Sequence, residues 1–245
     1  MLRNNLIVRA GAAFYGSPGI SSFYTDGLTI DHNTLMQLPY SGISVGFGWE
    51  TLSSTCKNNK ITYNKIVDYL LICRDGGGIY TLGNQPNSLI DNNYVKNAVN
   101  DYAGLYFDQG SAYFTVRNNL IETASRWLYI WKSSIHDIIL SNNYSNVYAF
   151  LNKGTNITYE DPILSTNSNW PSGAQAIINN SGFESSFPKL TSLLPSITNA
   201  TPSISINGSA SKTISFIDRL KLSATVSDDG TPYGLLQTHW RKTSG

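Results

Sequence analysis

A short pattern recurs along the first part of this chain: an apolar residue, two other residues, asparagine, one further residue and a second apolar residue. Successive pattern asparagines are 28, 31, 29, 26 and 24 residues apart. They are Asn5, Asn33, Asn64, Asn93, Asn119 and Asn143. This repeat constrains the fold most, because self-similarity at a period of roughly 20–50 residues is typical of arrays whose units stack on one another.

Each copy of the pattern is followed by a second apolar segment without helical periodicity. These segments are Gly42–Gly46, Gly78–Leu82, Gly104–Asp108, Trp127–Trp131 and Ala149–Lys153. A unit of two or three short strands cannot bury its apolar face alone, but stacked units can. The sequence therefore predicts an all-β fold, a right-handed parallel β-helix that is incomplete at its N-terminus. A β-sandwich, with strands at intervals of roughly 8–12 residues, does not account for the longer repeat.

The repeated asparagines are predicted to serve the structure. Asparagine tolerates the left-handed backbone conformation of sharp bends between strands. When asparagines stack on successive coils, their amides can also form a ladder of hydrogen bonds. His32, beside Asn33, is interpreted in the same way.

The pattern divides the chain into three parts. Residues 1–195 are predicted to form the β-helix, and within them Asn167–Ser172 and Asn179–Phe183 are expected to form an irregular cap on its last coil. Residues 196–202 form a linker rich in Ser, Thr, Asn and Pro. Apolar alternation in residues 203–245 predicts a truncated immunoglobulin-like module, a partial β-sandwich. Its turn Ser227–Pro232, followed by Trp240, resembles the bacterial modules of the PKD type.

The charge and composition of the chain limit the classes of partner that it is expected to bind. Charged residues make up 13% of the chain and the net charge is +1, which argues against nucleic-acid binding. No apolar run is long enough to span a membrane. Cys56 and Cys73 are either a single disulfide of an oxidising compartment or two free thiols. We expect a monomer that is secreted, extracellular or at the cell surface.

The second strands, stacked in register, predict a row of aromatic side chains on the outer surface. Side chains alternate along a strand, so Tyr80, Tyr106 and Tyr129 point outward, with Asp108 and Trp131 two residues further on. Aromatic rings beside a carboxylate suit sugar rings, whose apolar faces stack on aromatic groups. Alternatively, the aromatic row only stabilises the sheet.

A pair of carboxylates precedes two of these strands. Aligning Arg74–Tyr80 with Asn100–Tyr106 places Asp75 and Asp101 at equivalent positions on adjacent coils, about 4.8 Å apart in backbone. Carboxylates this close divide into an acid with a raised pKa and an ionised base or nucleophile, as glycosidases require. Alternatively, each aspartate caps a turn.

Asp108 is a second candidate partner for Asp75. In a straight strand the two lie far apart, so they are expected to meet only if Gly76–Gly78 bends back over the face. Trp49 and Glu50 follow a glycine-rich strand end and are candidates for lining the same cleft. Trp49 is equally compatible with the core.

Basic residues near these strands have two interpretations. Arg74, Arg126 and Lys132 either pair with an acidic sugar or are simply solvated.

Three motifs carry a family resemblance: Tyr40–Trp49, Asp75–Gly83 and Gly104–Ser111. Over about residues 20–195 they resemble right-handed β-helix proteins that include glycoside hydrolase family 141, with α-L-fucosidase and xylanase activities. The resemblance implies a catalytic pair of carboxylates on adjacent coils, Asp75 and Asp108.

Three functions remain open at this point. The first is a glycoside hydrolase acting on a polysaccharide or oligosaccharide, with Asp75 as acid and Asp108 or Asp101 as base or nucleophile, and with no cofactor or metal. The second is a polysaccharide lyase, which would need a basic residue as base and often Ca²⁺. The third is a non-catalytic, glycan-binding or adhesive solenoid.

Overall fold

The computed structural model describes residues 1–100, 102–165, 169–193, 203–207 and 223–227. Asp101, the predicted linker at 196–202 and Trp240 lie outside the described residues. The elements, in chain order, are β1 Leu2–Arg3, β2 Leu6–Val8, β3 Ile20–Ser22, β4 Thr29–Asp31, β5 Thr34–Met36, β6 Ile43–Val45, β7 Lys60–Thr62, β8 Lys65–Tyr69, β9 Gly77–Thr81, β10 Asn84–Asp91, β11 Tyr94–Ala98, β12 Ala103–Phe107, β13 Ala112–Arg117, β14 Leu120–Glu122, β15 Arg126–Ile130, β16 His136–Ser141, β17 Tyr144–Ser145, β18 Phe150–Asn152, β19 Thr155–Tyr159, β20 Ile163–Leu164, α1 Ser172–Asn180, α2 Pro188–Thr191, β21 Ser203–Asn207 and β22 Ser223–Ser227.

Three parallel sheets form a right-handed parallel β-helix, as predicted. Sheet 1 has the order β1-β4-β7-β10-β13-β16-β19, and sheet 2 has the order β2-β5-β8-β11-β14-β17-β20. Sheet 3 has the order β18-β15-β12-β9-β6-β3. Each of the first six coils contributes one strand to each sheet, and β19 and β20 add a seventh strand to sheets 1 and 2. Residues one repeat apart therefore become neighbours.

Stacked apolar columns fill the interior. In sheet 3 the predicted inward column is in register from Ile43 through Ile79 and Leu105 to Leu128. Ile30, Ile61 and Ile90 form the matching column of sheet 1, and sheet 2 contributes Leu35, Ile66, Val95 and Ile121. All of these side chains are buried, and each contributes about 1.5–3 kcal/mol to folding.

The narrow interior leaves no room for side chains at the start of the sheet 3 strands. A Cβ added at Gly42 would lie 2.6 Å from the Ile66 side chain, and one at Gly104 would lie 2.5 Å from that of Ile121. Trp127 occupies the position equivalent to Gly104 in the next coil. In sheet 2 the residue paired with Ile121 in that next coil is the small Ser145. The interior of that coil therefore has room for the large Trp127 side chain.

The asparagine ladder is present as predicted. Each Nδ2 donates to the Oδ1 of the next asparagine, at distances of 2.7, 2.9, 3.0, 2.9 and 3.1 Å from Asn5 to Asn143. The predicted backbone role is wrong, because the left-handed residue is the one before each ladder asparagine. These residues are Asn4, His32, Tyr63, Asn92, Asn118 and Asn142. The preceding residue makes the bend, which leaves the asparagine side chain free to point inward.

The predicted irregular cap is instead a helix on the side of the β-helix. In α1, Ala174 and Ile177 are buried in a cluster with Tyr94, Leu120 and Tyr144. These three aromatic and apolar residues belong to β11, β14 and β17, neighbouring strands of sheet 2. The helix therefore covers the flank of several coils rather than the end of the last one.

A lateral strap, residues 181–184, continues from α1 back towards the first coil. The Ser181 hydroxyl is shared between the Ile177 carbonyl oxygen of α1 at 2.7 Å and the Asn92 carbonyl oxygen at 3.0 Å. The Gly182 amide donates to the Tyr63 carbonyl oxygen at 2.8 Å. The Phe183 amide donates to the Thr34 hydroxyl at 3.2 Å. The Glu184 amide donates to Asn4 Oδ1 at 2.9 Å. Four consecutive residues thus bond to four different coils.

The chain divides into two compact units, Met1–Leu194 and Pro195–Gly245. In the second unit the described residues form one antiparallel pair, β21 with β22. The immunoglobulin-like module remains a prediction. Cys56 and Cys73 are both free thiols, and Cys56 is buried. Within the described ranges, no helix has the length and apolar character needed to cross a membrane.

Candidate functional site

A cleft of about 550 Å³ lies on the outer face of sheet 3. Its lining is aromatic and acidic, with one amide: Trp49, Asp75, Tyr80, Tyr102, Tyr106, Asp108, Gln109, Tyr129 and Trp131. The cleft gathers most of the predicted site residues, because the outward columns of β9, β12 and β15 are in register.

The tyrosine column packs more tightly than predicted. Tyr80, Tyr106 and Tyr129 are register partners, and successive ring centroids lie 5.1 and 4.9 Å apart in edge-to-face contact. Tyr80 is only 8% exposed and Tyr106 only 3%. The expected exposed stripe is therefore wrong for these two rings. They form the floor of the cleft, while Tyr129 and Trp131 are partly exposed.

Asp108, directly after β12, is held by three donors. Its Oδ2 accepts the Tyr80 hydroxyl at 2.6 Å. Its Oδ1 accepts Trp131 Nε1–H at 2.6 Å and the Gln109 amide at 2.7 Å. The residue is 6% exposed. An ionised carboxylate only accepts hydrogen bonds, so this arrangement suits the charged form.

Asp75, two residues before the start of β9, is exposed and has a left-handed backbone, with φ of 59°. Its Oδ1 accepts the Tyr106 hydroxyl at 3.1 Å, and its carbonyl oxygen accepts the Tyr40 hydroxyl at 2.7 Å. Asp75 thus has one side-chain donor where Asp108 has three donors. The two carboxylates share a cleft but differ in environment.

Long tyrosine side chains, rather than a bent backbone, connect the two carboxylates. The bend at Gly76–Gly78, which was expected to be necessary for the two to meet, is not present, since Gly77 begins the regular strand β9. Tyr106 of β12 reaches back to Asp75, whereas Tyr80 of β9 reaches forward to Asp108. The aspartates therefore stand at opposite ends of neighbouring strands, with two hydroxyl groups between them.

The loop after β6 forms one wall of the cleft. It folds across later coils, since a Cβ at Gly110 would lie 2.1 Å from the Glu50 carbonyl oxygen. Asn84 of the next coil donates to the Thr51 carbonyl oxygen. Trp49 lines the cleft and is 53% exposed, so the core alternative is wrong. Glu50 is exposed and does not line the cleft.

The side chains of Arg126 and Lys132 lie beside the cleft and are not part of its lining. The Arg126 guanidinium lies 5.4 Å from the Tyr129 ring centroid, and Lys132 Nζ lies 5.6 Å from that of Trp131. The predicted binding residue Arg74 is exposed and is not a lining residue. The described lining contains no Lys, Arg or His. No cluster of three or more His, Cys, Asp or Glu among the described residues is placed to hold a metal ion.

The carboxylates and the packing raise the pKa of the surrounding tyrosines. Burial raises the pKa of Tyr80, as does its hydrogen bond to Asp108. Burial and the charges of Asp108 and Asp75 raise the pKa of Tyr106. Burial, with the nearby carboxylates, raises the pKa of Tyr40 to about 12. These hydroxyls therefore remain donors at neutral pH.

Three residues at the site were not predicted from the sequence. Tyr102 stacks on Tyr106 with ring centroids 5.9 Å apart, and Gln109 lines the cleft beside Asp108. The third is Tyr40, which bonds to Asp75. Tyr102 and Tyr40 both precede a sheet 3 strand closely, and this shared position is a signal that could have revealed them. Asp101, the third predicted catalytic carboxylate, lies outside the described residues.

Comparison with known proteins identifies the family to which the chain belongs. Residues 2–187 match the family model described as "Right handed beta helix region", and the chain belongs to that family. A solved structure named "Glycoside hydrolase" is similar at a TM-score of 0.54 and 26% sequence identity. The similarity covers 76% of this chain and 28% of that chain, so this chain spans less than a third of its neighbour's length. Comparison with curated proteins gives no match.

Proposed function

We propose that the protein is a carbohydrate-active β-helix protein that hydrolyses glycosidic bonds in the cleft on sheet 3. The observation that carries the proposal is the pair of carboxylates in one open aromatic cleft, each bonded to a tyrosine of the neighbouring coil. A structural neighbour named glycoside hydrolase supports the same class. The motif resemblance to glycoside hydrolase family 141 supports an α-L-fucosidase or xylanase type of activity.

The different environments of the two carboxylates favour different roles. Asp108 faces three donors, which stabilise an ionised base or nucleophile. The role of general acid is then assigned to Asp75, which lies at the other end of the cleft and has one side-chain donor. Trp49, Tyr129 and Trp131 offer partly exposed rings against which the apolar face of a sugar can pack.

Release of reducing ends from a panel of polysaccharides and aryl glycosides tests this proposal. Asp75→Asn and Asp108→Asn should each lower the rate by at least about 100-fold, as for loss of a general acid or base. Asparagine is nearly isosteric, so circular dichroism should be unchanged. Asp26→Asn is the matched control, because Asp26 is exposed, lies outside the cleft lining and pairs with Lys57 and Asn58. Full activity in both cleft variants would refute the proposal.

The type of product, or its absence, distinguishes the hydrolase from the lyase and from the non-catalytic solenoid. A product with near-ultraviolet absorbance would show a lyase, although the described cleft lining offers no basic residue to abstract the proton. Glycan binding without cleavage would show a non-catalytic glycan-binding solenoid.

A further inference from the structure

An exposed group of aromatic side chains adjoins the cleft at Trp49. This aromatic patch consists of Phe23, Tyr24 and Phe47. Phe23 and Tyr24 are each 53% exposed, and Phe47 is 40% exposed. The Phe47 ring lies 5.0 Å from Phe23 and 6.0 Å from Tyr24, measured between centroids. It lies 4.9 Å from Trp49, so the patch is continuous with the cleft wall.

The backbone holds the patch in place before any ligand arrives. Phe47 stands between Gly46 and Gly48, which have φ of 98° and 91°, conformations that favour glycine. A Cβ at Gly46 would lie 2.0 Å from the Leu82 carbonyl oxygen, so the loop is pressed against the next coil.

Side chains of a second loop fix the backbone that carries the other two rings. The carbonyl oxygen of Phe23 accepts the Cys56 thiol at 3.3 Å, and that of Tyr24 accepts the Thr55 hydroxyl at 3.0 Å. The patch is therefore a fixed apolar surface open to water, an arrangement that usually marks a binding site.

We propose that the aromatic patch binds the part of a polysaccharide chain that leaves the cleft past Trp49. The substrate of the cleft is then a polymer rather than a short oligosaccharide or a single terminal sugar. This inference rests on the proposed function in taking the cleft as a glycan site. Continuity with the cleft through Trp49 favours a glycan over a second protein copy. The rings are uncharged, as suits stacking on the apolar faces of sugars.

Affinity gel electrophoresis tests the proposal without requiring catalysis. The full chain is run through gels containing xylan, galactomannan, arabinogalactan or polygalacturonate, and dissociation constants are compared with those of the matching disaccharides. In Phe47→Ala and, separately, Tyr24→Ala, affinity for the retarding polymer should fall about tenfold relative to affinity for its disaccharide. Tyr148→Ala is the control, since Tyr148 is also an exposed aromatic residue, at 62%, but lies between β17 and β18, outside the patch. It should retain full polymer affinity.

The outcomes are distinct from those for hydrolysis. Polymer binding that depends on Phe47, in a protein that cleaves nothing, would refute the hydrolase and leave this inference standing. Unchanged polymer binding in Phe47→Ala and Tyr24→Ala, or no retardation by any of the four polymers, would overturn the inference. Sedimentation showing a dimer that Phe47→Ala dissociates, with polymer binding intact, would assign the patch to a second copy instead.

Discussion

Replacing Asn93 by alanine should remove the central link of the asparagine ladder. Its two Nδ2 hydrogens are shared among Asn119 Oδ1 at 2.9 Å, the Ile61 carbonyl oxygen at 2.8 Å and that of Asp91 at 3.2 Å. Its Oδ1 accepts both the amide and the Nδ2 of Asn64, at 2.9 and 3.0 Å. Asn93 is fully buried, so water cannot replace these partners.

The expected loss of stability in Asn93→Ala follows from the hydrogen bonds removed and the buried groups left without a partner. Each bond contributes about 1 kcal/mol net, and buried groups left without a partner cost about 1–3 kcal/mol each. Allowing for relaxation, Asn93→Ala should lower the free energy of unfolding by roughly 3–5 kcal/mol.

Asn5→Ala is the matched control at the end of the same ladder. The Asn5 side chain donates to Asn33 Oδ1 and the Arg3 carbonyl oxygen, and the residue is exposed. Water can replace those bonds, so the loss should be about 1 kcal/mol or less.

Urea unfolding, followed by both circular dichroism and tryptophan fluorescence, measures the difference. The slope against urea must be compared as well, since a solenoid can unfold in parts. If Asn93→Ala and Asn5→Ala lower stability equally, the ladder does not stabilise the protein in the way described.

Two further variants test the packing and the buried hydroxyls. Gly104→Ala places a methyl group 2.5 Å from the Ile121 side chain and should cost about 1–3 kcal/mol, whereas Gly16→Ala meets nothing within 4 Å and should be neutral in the same urea assay. The raised pKa of Tyr40, about 12, predicts stability that is complete below pH 10 and is lost as pH rises from 10 towards 12, because the unfolded chain ionises first. Thermal unfolding between pH 9 and 12 should show this loss, and Tyr40→Phe should reduce it; an equal loss in that variant would exclude Tyr40 as a contributor.

The repeated coils could be predicted from the sequence, because residues that align between successive repeats lie next to each other in the stacked coils. Once the asparagines set the period, Ile79 had to lie beside Leu105, and Tyr80 beside Tyr106. Alternation along the strand then decided which column faced inward. Burial of the tyrosine rings was missed, because it depends on how far each ring leans towards its neighbours.

The non-repeating parts could not be predicted in this way. Helix α1 has an apolar spacing in Ala174, Ile177 and Ile178 that is compatible with a helix, but its docking site on sheet 2 has no local signature. The approach of Asp75 to the same cleft as Asp108 depends on side-chain reach across two coils. Such contacts follow from three-dimensional register and not from spacing along the chain.

The lateral strap changes how the β-helix can fold and fray. In a simple solenoid each coil contacts only its neighbours, so an end coil can detach on its own. Here Glu184 bonds to Asn4 and to Arg3 across separations of 180 and 181 residues. The coil of β1 and β2 therefore depends on residues that follow β20 in the chain. Loosening of this coil requires release of a segment that also bonds to the next three coils.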